Sequence, residues 1–374
     1  MTTEKKLLGI SPSGGATDVA EVFSTYLYTG TAANQTITNG IDLAGEGGLV
    51  WIKSRSSGSG HNLINTEVGR QYYLRSSTTS ANAGPSSSTN DLTSFNSDGF
   101  SIGVDQYQGN NVSTVDYASF TFRKKSGFFD CVTWSGDNST NRQISHSLSG
   151  PVGMIILKCT SHATNWNVFH TSLGGTKRLL LNRGDISVQT GQEYWNNTNP
   201  TSTNFTVGGS GDNNATGRTY VAYLFADNSS EDSDDQMIKC GSYTGTGAAL
   251  PINLGWEAQW VLIKKSSGTG GWYLMDSMRG MPNGGSFNSG HGPTLFADTN
   301  AAESLAVAVY PNASGFTIND NGSNINASGQ TYIYMAVRSE MMVEPSADSA
   351  TDVFHVNASQ GAGGGASFYS TGFD

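Results

Sequence analysis

The chain has 374 residues, 47 of them glycine, with 13% charged and 10% aromatic residues and a formal net charge of −10 at pH 7. Low charge with ample aromatics excludes a disordered chain, and the acidic balance excludes broad attraction to nucleic acid or to an anionic membrane. No apolar run reaches the roughly 18 residues needed to cross a bilayer, and three cysteines are too few for a disulfide scaffold of this length, which suits synthesis in a reducing cytoplasm.

In chain order, residues 1–22 come first. Leu7, Leu8 and Ile10, followed by Ser11-Pro12-Ser13-Gly14-Gly15, have no counterpart further along the chain. They read as an apolar patch for docking on a partner; the competing reading is a strand that caps the first domain. Thr17–Ser24 is the best short helical candidate.

From residue 23 the chain repeats itself, a feature to be sought before any local reading. Leu49-Val50-Trp51-Ile52-Lys53, Met154-Ile155-Ile156-Leu157-Lys158 and Trp260-Val261-Leu262-Ile263-Lys264 are apolar runs closed by lysine, the lysines standing 105 and 106 residues apart. Upstream of each lies an aromatic-Ser/Thr-Gly turn: Tyr28-Thr29-Gly30, Trp134-Ser135-Gly136 and Tyr243-Thr244-Gly245. Downstream lie Gly99-Phe100-Ser101-Ile102, Asn204-Phe205-Thr206-Val207 and Gly315-Phe316-Thr317-Ile318. Each copy ends on an alternating aromatic strand, beginning at Tyr117, Tyr220 and Tyr332.

The copies occupy residues 23–128, 129–226 and 237–338, with an acidic linker at 227–236 and a polar one at 339–351. Residues 352–374 resemble the start of a fourth copy that stops where its apolar run should begin, so the chain is expected to be the ordered N-terminal part of a longer polypeptide. Period-two alternation and Gly/Asn/Ser turns give about six or seven strands per copy. The expected fold is all-β: three tandem antiparallel β-sandwich or jelly-roll modules, each with its own core, strung along the chain.

Few residues invite a chemical reading. The run Glu231–Asp235 could be taken for paired carboxylates but sits in a linker without apolar support, and no strand carries alternating carboxylates. The six histidines never fall at the short spacings of a zinc site. Cys131 and Cys240 occupy the position that copy 1 gives to Thr25, which points to packing of a small side chain. Lys53, Lys158 and Lys264 are read as stems crossing a sheet edge with their charges in water. Trp166 and Trp272 are equivalent, with His61 at that place in copy 1, and Tyr194-Trp195 stands in a polar loop. An aromatic ring among Asn and Ser suits sugar stacking, which makes Tyr194, Trp195 and Trp272 glycan-binding candidates; core packing is the alternative for the tryptophans. No catalytic residue, metal site or cofactor is expected.

The order Tyr243-Thr244-Gly245-Thr246-Gly247, then Trp260–Lys264, then Asn326-Ala327-Ser328-Gly329-Gln330-Thr331-Tyr332-Ile333-Tyr334-Met335-Ala336 resembles repeat modules in virion proteins of marine and cyanobacterial phages. Copy 2 matches through Ile156-Leu157-Lys158, Leu179-Leu180-Leu181-Asn182, Trp195-Asn196-Asn197 and Tyr220–Phe225. The resemblance covers most of residues 23–338. It implies a concanavalin A-like or laminin-G-like sandwich in a tail fibre or fibre-like appendage, a non-enzymatic structural protein of the virion. Other virion proteins would bind residues 1–22, host surface polysaccharide would be a second partner, and trimerisation follows by analogy with fibres. The alternatives are a lectin-like or capsid decoration protein and, behind these, a polysaccharide depolymerase.

Overall fold

The computed structural model describes residues 17–82, 92–104, 109–185, 189–229, 236–282, 290–322 and 324–340, whose regular secondary structure is almost all antiparallel strand. The docking candidates Leu7, Leu8 and Ile10, the acidic run Glu231–Asp235 and the fourth copy lie outside the described residues. The helical candidate at residues 17–24 is a single 3₁₀ turn, Val19–Glu21, capped by Asp18, whose side chain accepts from the Ala20 N–H. Val19 and Val22 are buried, so this end of the leader belongs to the folded unit.

Copy 1 contains β1 (Phe23–Thr29), β2 (Gln35–Thr38), β3 (Gly48–Ser54), β4 (Asn62–Asn65), β5 (Leu74–Arg75), β6 (Leu92–Asn96), β7 (Gly99–Ile102) and β8 (Asp116–Arg123). Copy 2 contains β9 (Phe129–Ser135), β10 (Arg142–Ser145), β11 (Val152–Cys159), β12 (Asn167–His170), β13 (Lys177–Leu180), β14 (Gln189–Thr190), a one-turn helix α1 (Gln192–Trp195), β15 (Asn204–Val207) and β16 (Thr219–Ala226). Copy 3 contains β17 (Ile238–Thr244), β18 (Leu250–Asn253), β19 (Ala258–Lys265), β20 (Trp272–Asp276), β21 (Gly292–Phe296), β22 (Ser304–Val307), β23 (Val309–Asn312), β24 (Gly315–Ile318) and β25 (Thr331–Arg338). The large sheets run β1-β8-β3-β4-β5, β9-β16-β11-β12-β13-β14 and β17-β25-β19-β20-β21-β22. The small sheets are β2-β7-β6, β10-β15 and β18-β24-β23. The topology is the same three times: first, last, third, fourth and fifth strands in one sheet, and the second strand in the other.

The lysine-closed runs explain how the copies pack. β3 and β11 are buried at every position, although an antiparallel strand with one wet face would alternate. Both faces of the large sheets are covered. Val50 and Ile52 face Ile37, Phe100 and Ile102 inside copy 1, and Val261 and Ile263 face Phe316 and Ile318 inside copy 3. On the opposite faces Leu49, Trp51, Phe120 and Phe122 join Tyr223 and Phe225 of copy 2 and Trp260 and Leu262 of copy 3 in one continuous core. Phe122 lies edge-on to Phe225 at 5.3 Å and to Trp260 at 5.9 Å. The expected string of separately cored modules is thus replaced by three sandwiches around a shared centre, within one unit spanning Thr17–Glu340.

The aromatic-Ser/Thr-Gly turns fasten each sandwich at the same place. Tyr28 stacks on Tyr117 at 5.0 Å, Trp134 on Tyr220 at 5.4 Å and Tyr243 on Tyr332 at 5.1 Å. Beside each pair a buried asparagine, Asn111, Asn214 or Asn326, accepts from the backbone N–H that follows the turn glycine. The glycine is needed because the neighbouring backbone comes close: a Cβ on Gly245 would stand 2.3 Å from the Ala327 carbonyl oxygen. Gly245→Ala is expected to lower unfolding free energy by about 1–3 kcal/mol. Gly58→Ala, whose nearest neighbour would be 3.7 Å away, should change it by less than about 0.5 kcal/mol; chemical denaturation of both variants checks the difference.

The registers set a direction. β1 begins opposite the end of β8 (Phe23↔Phe122), as do β9 with β16 (Phe129↔Phe225) and β17 with β25 (Ile238↔Val337). Each copy's first strand therefore starts, and its last strand finishes, at one end. The hairpins that follow β3, β11 and β19 lie at the other end, because Ser54 pairs with Tyr117, Cys159 with Tyr220 and Lys265 with Tyr332.

Candidate functional site

The hairpin end is built from a position the repeat makes conspicuous. His61, Trp166 and Trp272 stand just after equivalent hairpins, and each reaches into a neighbouring copy. Trp51 Nε1–H donates to His61 Nδ1 (2.8 Å), which leaves His61 Nε2–H to donate to the Phe296 carbonyl of copy 3 (2.9 Å). Trp272 Nε1–H donates to the Leu180 carbonyl of copy 2 (2.9 Å), and Trp166 Nε1–H to the Arg75 carbonyl of copy 1 (3.0 Å). Arg75, Leu180 and Phe296 each end the fifth strand of their copy. Copy 1 thus holds copy 3, copy 3 holds copy 2 and copy 2 holds copy 1, a head-to-tail contact that closes into a ring.

This geometry corrects the glycan-stacking expectation. Trp272 is 1% exposed and serves the ring, and Trp195 is likewise 1% exposed, edge-on to Phe169 at 5.9 Å. Neither indole offers a face to a sugar. Tyr194 is half-buried, with the Arg178 guanidinium 3.4 Å above its ring.

The three lysines are also not where charge in water was expected, for all three are fully buried. They occupy the last inward position of the central face, beyond Trp51, Ile156 and Leu262. Their ammonium groups donate to carbonyls of the hairpin that follows: Lys53 to Ser54 (2.6 Å), Lys158 to Cys159 (2.9 Å) and Lys264 to Gly270 (2.7 Å). Burial pushes each down to about 8. These ammonium-to-carbonyl bonds hold the hairpins that carry His61, Trp166 and Trp272. Cys131, Cys159 and Cys240 are buried free thiols, and burial raises Cys131 and Cys240 well above the ordinary thiol range.

A charged link was missed in the sequence. Arg55 of copy 1 forms a two-pronged pair with Glu303 of copy 3 (2.8 and 2.9 Å), and Glu303 also accepts from Arg279 (3.1 Å), itself buried against Asp276 (2.5 Å). No local pattern joins residues so far apart in the chain.

Between the copies, at the hairpin end, open two polar clefts of about 700 and 550 Å³. The first is lined by Asn182, Arg183 and Asp185 of copy 2 and by Lys265, Thr269–Gly271, Asp298, Thr299 and Asn324 of copy 3. The second is lined by Gly58–Gly60, Arg75, Ser77, Thr78 and Gly109 of copy 1 and by Asp298, Thr299 and Asn300 of copy 3. The two are the same place in the repeat: Thr269–Gly271 corresponds to Gly58–Gly60, Asn324 to Gly109, and Asn182–Gly184 to Asp298–Asn300. Asp298 and Thr299 line both clefts. Asp298 accepts from the Trp272 N–H (3.0 Å), and burial raises its carboxyl above the ordinary range. Asp185, paired with Arg183 through two bonds of 2.7 Å, is held below it by those bonds. A further hollow of about 670 Å³, lined in part by Glu67, Tyr72 and Thr160, lies between copies 1 and 2. Among the described residues no group of three or more His, Cys, Asp or Glu side chains could hold a metal ion.

These features define a class: an all-β protein in which three antiparallel sandwich copies close into one ring. The chain belongs to the family DUF7483, a domain of unknown function, which matches residues 18–340 and so spans all three copies. No curated protein matches the chain.

Proposed function

We propose that the chain is a structural protein of a phage particle, a tail fibre or fibre-like appendage that displays its ring of sandwiches for host attachment and is held to the particle by its N-terminal segment. The observation that carries this reading is the ring with two unlike ends. The folded unit begins and finishes at the end where the chain passes from one copy to the next, while the hairpin end, joined by the bonds of His61, Trp166 and Trp272, carries the clefts. A block tethered at one end and open at the other suits display. The resemblance of the repeat landmarks to phage virion modules supports the same reading. Mass spectrometry of purified particles, with antibody labelling by electron microscopy, is expected to find the protein on the tail or particle surface; its absence from particles would overturn the proposal.

A second reading, cleavage of a glycan, draws on one observation. Asp185 and Asp298 line the same cleft, and their surroundings push their acidities apart, the pattern of an acid and a carboxylate partner. Release of reducing ends from host polysaccharide, lost in Asp298→Asn, would favour it over display alone.

A further inference from the structure

We infer that the two equivalent clefts at the hairpin end bind one neutral saccharide chain, laid across copies 2, 3 and 1. This rests on the display reading and names the chemistry of what is met.

The lining selects the ligand class. Both clefts are bounded by amide, hydroxyl, carboxylate, guanidinium and glycine backbone groups, with no apolar side chain in either. An apolar ligand or a hydrophobic peptide would find nothing to bury against, whereas a polyhydroxylated one meets donors and acceptors throughout. Charge selects further. Across the two clefts Arg183, Lys265 and Arg75 face Asp185 and Asp298, the last shared by both, so the combined lining differs from neutrality by a single positive charge. Arg183 is already neutralised through both of its bonds to Asp185. A glycan charged at every repeat would therefore give up the hydration of all its charges with at most one unmatched counter-charge to receive them.

The arrangement selects length. Asp298 and Thr299 form a wall common to the two clefts, so a chain leaving one passes directly into the other. Each cleft alone is shallow and lacks a stacking ring, the tryptophans being spent on closing the ring of copies. Affinity is then gained by occupying both sites with one molecule, the second engagement being intramolecular. The internal repeat thereby produces two like subsites in series.

The test is an array of oligosaccharides from disaccharide to octasaccharide, neutral and uronic-acid-containing, probed with the purified full chain. Neutral octasaccharides are expected to bind at least about tenfold more tightly than disaccharides of the same sugar. Thr269→Trp fills the first cleft from an exposed position, and Gly58→Trp fills the second where space is open. Either is expected to reduce octasaccharide binding to the disaccharide level, and the pair to abolish it, with circular dichroism and melting temperature unchanged. Should Thr269→Trp misfold, Arg183→Ala, on an exposed ion pair lining the same cleft, replaces it. Preference for acidic glycans, no length dependence, or full binding by the double variant would overturn the inference. Because the assay uses isolated protein, binding without incorporation into particles would sink the virion reading and spare this one, and incorporation without binding would do the reverse.

Discussion

Copy 1 expressed alone, as residues 17–125, is expected not to fold, and the whole unit is expected to unfold in a single calorimetric transition. The reason is the double-faced large sheet. Separated from its neighbours, copy 1 would present Leu49, Trp51, Leu63, Phe120 and Phe122 to water, each no more than 1% exposed in the ring. At roughly 1.5–3 kcal/mol for a large apolar side chain, the five together amount to about 10 kcal/mol. That is comparable to the entire stability of an ordinary domain. The charged chain of Arg55, Glu303, Arg279 and Asp276 acts in the same direction, since removing copy 3 leaves Arg55 without Glu303. A dispersed proton spectrum from the isolated copy, or separate melting steps in the unit, would contradict the shared core. The same closure satisfies each copy's head-to-tail surface within one chain, so residues 17–340 by themselves are expected to be monomeric by light scattering, in contrast to the trimer expected by analogy with fibres.

Much of this was legible in the sequence, and what was not has a physical reason. Alternation in Tyr117–Arg123 and the spacing of the lysine-closed runs were enough for antiparallel sandwiches, because pleat and turn chemistry are local. The shared core was also written there, in the unbroken run Leu49-Val50-Trp51-Ile52, since a strand with one wet face has no reason to be apolar at successive positions. The fate of Lys53 followed from the same run: a lysine continuing the inward set Leu49 and Trp51 points inward too. The ring itself was invisible. Its acceptors are the carbonyls of Arg75, Leu180 and Phe296, and a backbone carbonyl leaves no trace in residue identity. The clefts arise between copies, from Asn182 and Asp298 brought side by side, and no spacing along the chain encodes that juxtaposition.

Acidification below about pH 6.5 is expected to loosen the ring. His61 and His170 are both buried and both bond across copies, His61 to the Phe296 carbonyl and His170 through Nε2–H to the Tyr334 carbonyl (3.0 Å). Their Nδ1 atoms accept, from Trp51 Nε1–H and from the Ser172 N–H, so each ring must be neutral. Burial is the main cause that pushes His61 down to about 3 and His170 to about 4; the Lys53 and Arg279 charges press His61 further. The sign follows directly. Above about pH 6.5 both histidines are neutral folded or unfolded, and the stability is complete. Below it the unfolded chain takes up protons that the folded ring refuses, so stability falls as pH drops toward the folded values. At about 1.4 kcal/mol per unit, two such groups lose roughly 4 kcal/mol by pH 5. His170→Asn, which installs the residue that copy 1 carries as Asn65 at the equivalent position, should reduce the proton uptake that accompanies unfolding. Melting temperatures of both proteins across this range would decide it: a wild-type curve flat between pH 7 and 5 would mean that neither histidine is held neutral by the contacts that close the ring.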